Sequence, residues 1–227
     1  MTDARLTPAP APELGAEDAR AIVRDGYALA SQAYRGDAFA LAGSGYAHWL
    51  SRLTRLVPAG ARVLDLGCGN GVPVARELAK RHRVTGIDLS PVQIARARTL
   101  VPDARFECVD MTAASFAPGS YDAVAAFFSI INVPAAEQPA LFRAIGGWLA
   151  PGGCLLAILG KCAWTGTESD WRGVPGATMY WSHADLADAR RWIADAGMRI
   201  VEEGTEPERG TPGFAVVVAE KAAGGAR

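Results

Sequence analysis

The chain has 227 residues, of which 50% are hydrophobic and 21% charged, and its formal net charge is -1. These values predict one large α/β domain and give no sign of a nucleic-acid-binding surface. The most apolar run, residues 123–131, is too short to span a bilayer, and the N-terminus lacks the pattern of a secretion signal. We therefore expect a cytoplasmic monomer or homodimer with no nucleic-acid or membrane partner.

The four cysteines form no Cys-x-x-Cys pair and have no histidine at metal-ligand spacing. This pattern predicts no metal site. It favours the interpretation that the cysteines are small apolar side chains within the fold.

Proline alternates with other residues near the N-terminus, from Thr7 to Pro12, which predicts a mobile tail over residues 1–16. Apolar residues then recur at helical spacing from Glu17 to Tyr34, weakened by Gly26, and a second helix is predicted from Ser44 to Val57. We expect residues 17–60 to form a helical lid. Residues 61–221 are then the core, and 222–227 a disordered tail.

The core begins with the run Val-Leu-Asp-Leu-Gly-Cys-Gly-Asn-Gly, residues 63–71. A short apolar strand, three glycines and a helical pattern from Val72 to Ala79 predict a strand, a tight turn and a helix N-terminus that faces a ligand. The glycine spacing does not match a dinucleotide fingerprint, because Val72 occupies the third glycine position. It does not match a P-loop either, since Val72 and Pro73 follow Gly71 where Lys and Ser or Thr are required.

Asp65, Gly67, Gly69 and Gly71 resemble motif I of the class I S-adenosylmethionine (SAM) dependent methyltransferases. The resemblance implies that the turn, including Cys68, approaches the methionine part of SAM and that Asp65 contacts its ammonium group. It also implies that the lid residues Tyr27 and Tyr34 line the cofactor. The alternative is a glycine turn of another doubly wound fold.

Two further strands are predicted to end in carboxylates. The second predicted strand, Arg83 to Leu89, has Asp88 at its end, about 20 residues beyond the glycines, where a carboxylate binds a ribose. The third predicted strand, Ala104 to Val109, is followed by Asp110. In the family, an acidic residue at the position of Asp110 accepts a hydrogen bond from the adenine amino group. Met111 follows it in this sequence. Either carboxylate is alternatively a local cap. The remaining predicted cofactor contacts are Leu89, Gln93 and Phe127. Gln93 is also the predicted capping-box partner of Ser90.

The fourth strand, Tyr121 to Phe127, leads into a segment at the carboxyl end of the sheet, where open α/β folds bind ligands. We expect Phe128, Ile131 and Asn132 to contact the methyl acceptor. Many members of the family carry a histidine near Asn132, so its absence puts a general base from this loop in doubt.

A helix from Pro134 to Ala150 and a strand from Cys154 to Leu159 precede a long loop, residues 161–181. Its aromatic residues are predicted to form a wall against the acceptor, although a loop anchored internally by its aromatics fits equally well. These residues are Trp164, Trp171, Tyr180 and Trp181.

Ser182 and Asp185 predict the start of a helix that reaches Ala196, which puts His183 in its first turn. A helix N-terminus disfavours imidazolium, so His183 is the candidate catalytic base and a further acceptor contact. Two strands, Met198 to Glu203 and Phe214 to Glu220, complete the chain as an antiparallel hairpin.

The predicted fold is a single Rossmann-like domain with a seven-stranded, mostly parallel sheet, helices on both faces and an N-terminal helical lid. The predicted function is methyl transfer from SAM, with S-adenosylhomocysteine (SAH) as product, to an O, N or C nucleophile of a small molecule, with secondary metabolism as one setting. A non-methylating SAM-binding enzyme such as a cyclase, or a regulatory module, is the alternative. A nicotinamide-dependent oxidoreductase is disfavoured by Val72.

Overall fold

The computed structural model describes residues 14–206 and 213–223. Most of the predicted N-terminal tail, residues 1–16, lies outside the described residues. So do residues 224–227 of the predicted C-terminal tail, 222–227. No helix in the described part of the chain is long and apolar enough to cross a membrane.

Nine strands and seven α-helices make up the described structure. The strands are β1 Arg62–Leu66, β2 Arg83–Asp88, β3 Arg105–Cys108, β4 Tyr121–Ala126, β5 Leu149–Leu159, β6 Trp164–Glu168, β7 Met179–His183, β8 Met198–Glu206 and β9 Phe214–Lys221. The helices are α1 Ala16–Leu29, α2 Ser31–Tyr34, α3 Gly45–Leu56, α4 Val74–Ala79, α5 Pro91–Leu100, α6 Gln138–Trp148 and α7 Leu186–Asp195.

Seven strands form one sheet in the order β3-β2-β1-β4-β5-β9-β8, and β6 pairs with β7 in a separate two-stranded sheet. Strands β1 to β5 are parallel neighbours, whereas β9 runs antiparallel to both β5 and β8. The predicted fold class, a seven-stranded mostly parallel sheet with a C-terminal antiparallel hairpin, is confirmed. The carboxyl ends of β1 to β4 therefore meet at one edge of the sheet.

Both faces of the sheet are buried. Alternate residues of β1 point to opposite sides: Val63 packs with Leu53 of α3, while Leu64 and Leu66 pack with Phe142 of α6. β1 therefore carries buried apolar residues on both faces, as expected for a parallel strand covered on both sides.

Three local predictions were wrong. The first predicted helix is interrupted at Ala30 and forms α1 and α2. The predicted loop 161–181 contains the β6–β7 hairpin, because five residues of each strand pair in register. The capping box at α5 is incomplete: Ser90 accepts a hydrogen bond from the Gln93 amide, but the Gln93 side chain bonds to Ser31 and to the Tyr27 carbonyl.

Candidate functional site

The glycine turn after β1 is fixed by backbone hydrogen bonds to the neighbouring strand. The amides of Gly67 and Cys68 both donate to the carbonyl of Ile87, at 2.8 and 2.9 Å. Gly67 has a φ of 69°, and a Cβ atom added there would lie 2.3 Å from the Cβ of Ser129. Glycine is therefore required at position 67 for two reasons, the left-handed backbone and the close approach of the segment after β4.

Three carboxylates stand at the ends of β1, β2 and β3. Asp88 accepts hydrogen bonds from the amides of Gly69 and Ser90, both at 2.9 Å. Burial raises the pKa of Asp88, and those two hydrogen bonds oppose the shift. Asp110 accepts hydrogen bonds from Thr112 and from the guanidinium of Arg20.

Asp65 is the most deeply buried of the three carboxylates, at 1% exposure. Its Oδ2 atom has no hydrogen-bond partner among the described residues. Burial, and next the charge of Asp88, raise the pKa of Asp65 to about 8. An unpartnered buried carboxylate of this kind is costly, and a cationic ligand group would offset the cost.

These carboxylates line a cleft made of two adjoining cavities, whose empty space, including the part open to solvent, is about 720 and 380 Å³. The larger cavity is lined by Arg20, Val23, Tyr27, Tyr34, Gly67, Gly69, Ile87, Asp88, Leu89, Val109, Asp110, Met111, Thr112, Phe127, Phe128, Ser129, Asn132, Val133 and Pro134. The smaller is lined by Tyr34, Arg35, Tyr46, Asp65, Gly67, Cys68, Gly69, Asn70, Val72, Pro73, Val74 and Phe127. Because four residues line both, the two cavities lie next to each other, and we refer to them together as the cleft.

Most of the predicted site residues are brought together by this cleft. The predicted cofactor contacts that line it are Tyr27, Tyr34, Asp65, Gly67, Cys68, Gly69, Asp88, Leu89, Asp110, Met111 and Phe127. Of the predicted acceptor contacts, Phe128 and Asn132 line the larger cavity. The predicted residues that line neither cavity are Gln93, Ile131, Trp164, Trp171, Tyr180, Trp181 and His183.

The β6–β7 hairpin bonds to the segment between β4 and α6, which forms part of the cleft wall. Its own aromatic side chains therefore lie outside the two cavities. The carbonyl of Tyr180 accepts a hydrogen bond from Asn132 Nδ2 at 2.7 Å. Ser182 accepts one from the Ala135 amide through its hydroxyl and one from Gln138 Nε2 through its carbonyl, both at 2.9 Å. The hairpin thus holds the segment between β4 and α6 in place.

Trp171 packs beneath the lid and not against the cavity. Its ring centroid lies 5.3 Å from that of Tyr27 and 4.9 Å from that of Tyr34, and only 4% of the residue is exposed. Gly26 of α1 lies on the same hairpin, since a Cβ atom there would be 2.1 Å from the Thr178 carbonyl oxygen. Trp171 and Trp181 pack with Tyr27 and Tyr34 and so join the hairpin to the lid, and the acceptor contacts expected of the hairpin aromatics stay predictions.

His183 does not occupy the predicted first turn of a helix. It ends β7, while α7 begins at Leu186 with Asp185 as its N-cap. The imidazole packs between Trp164 and Phe214, and burial lowers its pKa. The neutral form is favoured as predicted, but by desolvation and at a position outside both cavities.

Sequence reasoning missed two cations in the cleft. Arg20 of α1 bonds to Asp110 and Glu137, and it lies seven residues before Tyr27, a spacing that places both on one helix face. Arg35 donates to the Tyr46 hydroxyl at 2.9 Å and lines the smaller cavity. Helical spacing from Tyr27 was a signal that would have found Arg20, but no local pattern marks Arg35.

Residues 63–153 match the family model described as a methyltransferase domain. The ubiquinone biosynthesis O-methyltransferase of Xanthomonas axonopodis pv. citri is 36% identical over 160 residues, which cover 64% of this chain and 66% of that protein. Its counterpart in Xanthomonas campestris pv. campestris is 39% identical with the same coverage. The chain thus spans slightly less than two thirds of the length of these relatives.

Two solved structures resemble nearly the whole chain. The 1,6-didemethyltoxoflavin-N1-methyltransferase of Burkholderia thailandensis has a TM-score of 0.71 at 18% identity and covers 95% of this chain and 94% of its own. The [4+2]-cyclase SpnF has a TM-score of 0.67 at 19% identity, with 95% and 99% covered. At such identities the likeness shows the fold alone.

The domain model, the relatives and the fold together support a class I SAM-dependent methyltransferase. The family and the SAM cofactor predicted from residues 65–71 are confirmed. The roles of individual site residues stay predictions.

Proposed function

We propose that this methyltransferase family member transfers a methyl group from SAM to an oxygen atom of a small aromatic hydroxyl compound. The observation that carries the proposal is the cleft, whose two adjoining cavities bring three strand-end carboxylates next to an aromatic surface after β4. The oxygen acceptor is supported by the relatives of 34–39% identity, which are named as O-methyltransferases. Cytoplasmic location, a monomeric or homodimeric state and a role in secondary metabolism stay predictions.

The residues of the smaller cavity fit the amino-acid part of SAM. Asp65 offers an unpartnered buried oxygen to an ammonium group, and Arg35 is a cation on the same cavity. Because Gly67 lines this cavity and has no side chain, a ligand can approach its backbone closely. We assign this cavity to the amino-acid portion of the cofactor.

The larger cavity then holds the adenosine part. Asp88 is anchored by two backbone amides, which fix the carboxylate for a pair of ribose hydroxyls. Asp110 and Met111 lie after β3 on the same cavity and suit the adenine ring. The bonds that Asp110 makes to Arg20 and Thr112 hold this carboxylate in one orientation.

The acceptor site lies where the two cavities meet the β4 end. Phe127 and Phe128 supply apolar ring surface, and Tyr46 stacks on Phe127 at a centroid distance of 5.5 Å. Phe128 has a φ of 56°, an uncommon backbone for a bulky residue and one that clusters at ligand sites. This surface favours a flat aromatic acceptor.

Bound SAM supplies the electrophilic methyl carbon of a sulfonium. The residues of this chain have to align the acceptor oxygen with that carbon and keep water out, and such alignment accounts for a large part of the rate in reactions of this type. The lid helix α1 covers the cleft for this purpose, and the β6–β7 hairpin holds α1 and the segment after β4 in place. His183 as general base stays a prediction that its position outside the cavities does not support.

Mass spectrometry of an aromatic hydroxyl panel after incubation with SAM and the protein tests the proposal. We expect one methyl to be added to at least one member, with none added by Asp88→Ala. Matched aromatic amines in the panel separate oxygen from nitrogen acceptors. Binding of SAM without any methyl transfer across the panel would contradict the proposal and favour a non-methylating enzyme or a regulatory module.

A further inference from the structure

The hydroxyl of Tyr27 lies at the centre of the cleft. Its side chain reaches from α1 to the segment after β4, where the hydroxyl donates to Asn132 Oδ1 at 3.3 Å. The ring is held from the other side by Tyr34 and Trp171, both with centroids 5.3 Å away. The hydroxyl is therefore fixed in position by both its ring and its proton.

The direction of this hydrogen bond follows from the orientation of the Asn132 amide. Asn132 Nδ2 donates to the Tyr180 carbonyl at 2.7 Å, and a carbonyl oxygen can only accept. The opposite atom, Oδ1, must then be the one that faces Tyr27. Because Oδ1 has no proton, the single proton of Tyr27 is committed to Asn132.

With its proton committed, Tyr27 Oη can only accept further hydrogen bonds. Within residues 14–206 and 213–223, no group donates one to it. Burial raises the pKa of Tyr27 well above its usual value, so the hydroxyl stays neutral. The cleft thus presents to a ligand a fixed, neutral hydrogen-bond acceptor with no proton to give.

We propose that Tyr27 Oη accepts a hydrogen bond from a hydroxyl group of the methyl acceptor and so selects acceptors that carry such a donor. This proposal rests on the methyl-transfer function and on an aromatic hydroxyl acceptor. It assigns Tyr27 to acceptor selection, in addition to the cofactor contact expected from the sequence. The hairpin determines this selectivity at a distance, because its Tyr180 carbonyl sets the Asn132 amide.

Two probes with the same ring, one with hydrogen-bond donors and one without, test the proposal. Catechol carries two hydroxyls, and 1,2-dimethoxybenzene has the same ring with none. Their binding to the SAH complex is measured by NMR titration for the wild type and for Tyr27→Phe, which keeps the ring contacts. Tyr34→Phe is the matched control, since Tyr34 lines the same cavity and contacts the same tryptophan.

We expect the wild type to prefer catechol and Tyr27→Phe to lose roughly three- to tenfold of that preference, the usual effect of one neutral hydrogen bond. Tyr34→Phe should keep the preference. A Tyr27→Phe variant that weakens both probes equally has only a packing role, which overturns the proposal. Failure of catechol to bind the wild type also overturns it, whereas methyl transfer in the wider panel would still stand.

Discussion

The two walls of the cleft are held by different kinds of contact. On the sheet side, the glycine turn bonds to β2 through backbone amides, and Asp88 is fixed by the amides of Gly69 and Ser90. On the lid side, α1 is held by side-chain contacts across the cleft, chiefly those of Arg20 and Tyr27. The sheet side is therefore part of the fold, whereas the lid side depends on a few contacts that single substitutions remove.

The largest expected effect belongs to the sheet side. Asp88→Ala should weaken SAH binding by about 3 kcal/mol, because a carboxylate that bonds two ribose hydroxyls is lost. Isothermal titration calorimetry measures this change. Asp122→Asn is the matched control, since Asp122 lies in β4 and pairs with Arg62 outside both cavities. Equal affinity in Asp88→Ala and the wild type would refute the ribose assignment.

The docking of α1 should be the next most sensitive feature. Gly26→Ala places a Cβ atom 2.1 Å from the Thr178 carbonyl oxygen, and overpacking of this kind costs about 2 kcal/mol. Gly147→Ala is a matched control in α6, where nothing lies within 4 Å of the added atom. That control should gain up to about 1 kcal/mol from helix propensity. Urea denaturation of both variants gives the two values, and a neutral Gly26→Ala would mean that α1 is not tightly docked.

The sheet side was predictable because its signals are local. Asp65, Gly67 and Asp88 are marked by spacing within one strand-turn-strand unit, and parallel strands carry them to one edge. Gly26 shows the limit of that method, since it reads as a weak helix position until the hairpin beneath it is known. From the sequence, Gly26 is only a residue that weakens a helix. The reason for glycine at this position is a long-range contact with Thr178, which the sequence does not reveal.

The β6–β7 hairpin shows the same limit more strongly. Its strands are short, and the segment between them, residues 169–178, carries two glycines and a proline, which are typical of a loop. Strand identity here comes from pairing with a partner eleven or more residues away and from the bonds to Asn132 and Gln138. His183 was misplaced for this reason, because Ser182 was interpreted as a helix cap and instead belongs to β7.

The affinity for SAH should depend on pH through Asp65 in the smaller cavity, and not through the lid. The pKa of Asp65 is raised to about 8 in the free protein, so below that pH the carboxyl holds a proton. A ligand ammonium group favours the ionised form, so binding releases a proton and affinity rises with pH. Between pH 6 and 7, where an α-amino group is still charged, SAH affinity should rise by up to about tenfold.

Calorimetry in buffers of different ionisation enthalpy counts the released proton. Asp65→Asn should bind SAH more weakly, with no proton release and a flat pH profile over this interval. A wild type that binds SAH without proton release would mean that Asp65 is already ionised or does not contact the ammonium group.

The same raised pKa of Asp65 predicts that the ligand-free protein loses stability as pH rises from about 4 to 8, because the folded state binds one more proton than the unfolded state in this range.

The smallest expected effect concerns the ion pairs that hold the lid. Arg20 bonds to Asp110 and Glu137, and its side chain is 29% exposed. Arg20→Met should speed SAH release about fivefold, since partly exposed pairs contribute on the order of 1 kcal/mol. Stopped-flow displacement measures the rate. Arg24→Met is the matched control, because among the described residues Arg24 pairs only with the neighbouring Asp25, and both are exposed.

Salt separates an electrostatic latch from lost packing in the same experiment. At 1 M salt the screening length falls to about 3 Å, so the wild type should release SAH nearly as fast as Arg20→Met. The variant itself should respond little to salt, since the charge that salt screens is already gone. Slower release from Arg20→Met would instead indicate that Arg20 competes with the ligand for Asp110. In that case the lid side would limit access of the cofactor to the cleft, and the division between a fixed wall and a detachable one would need revision.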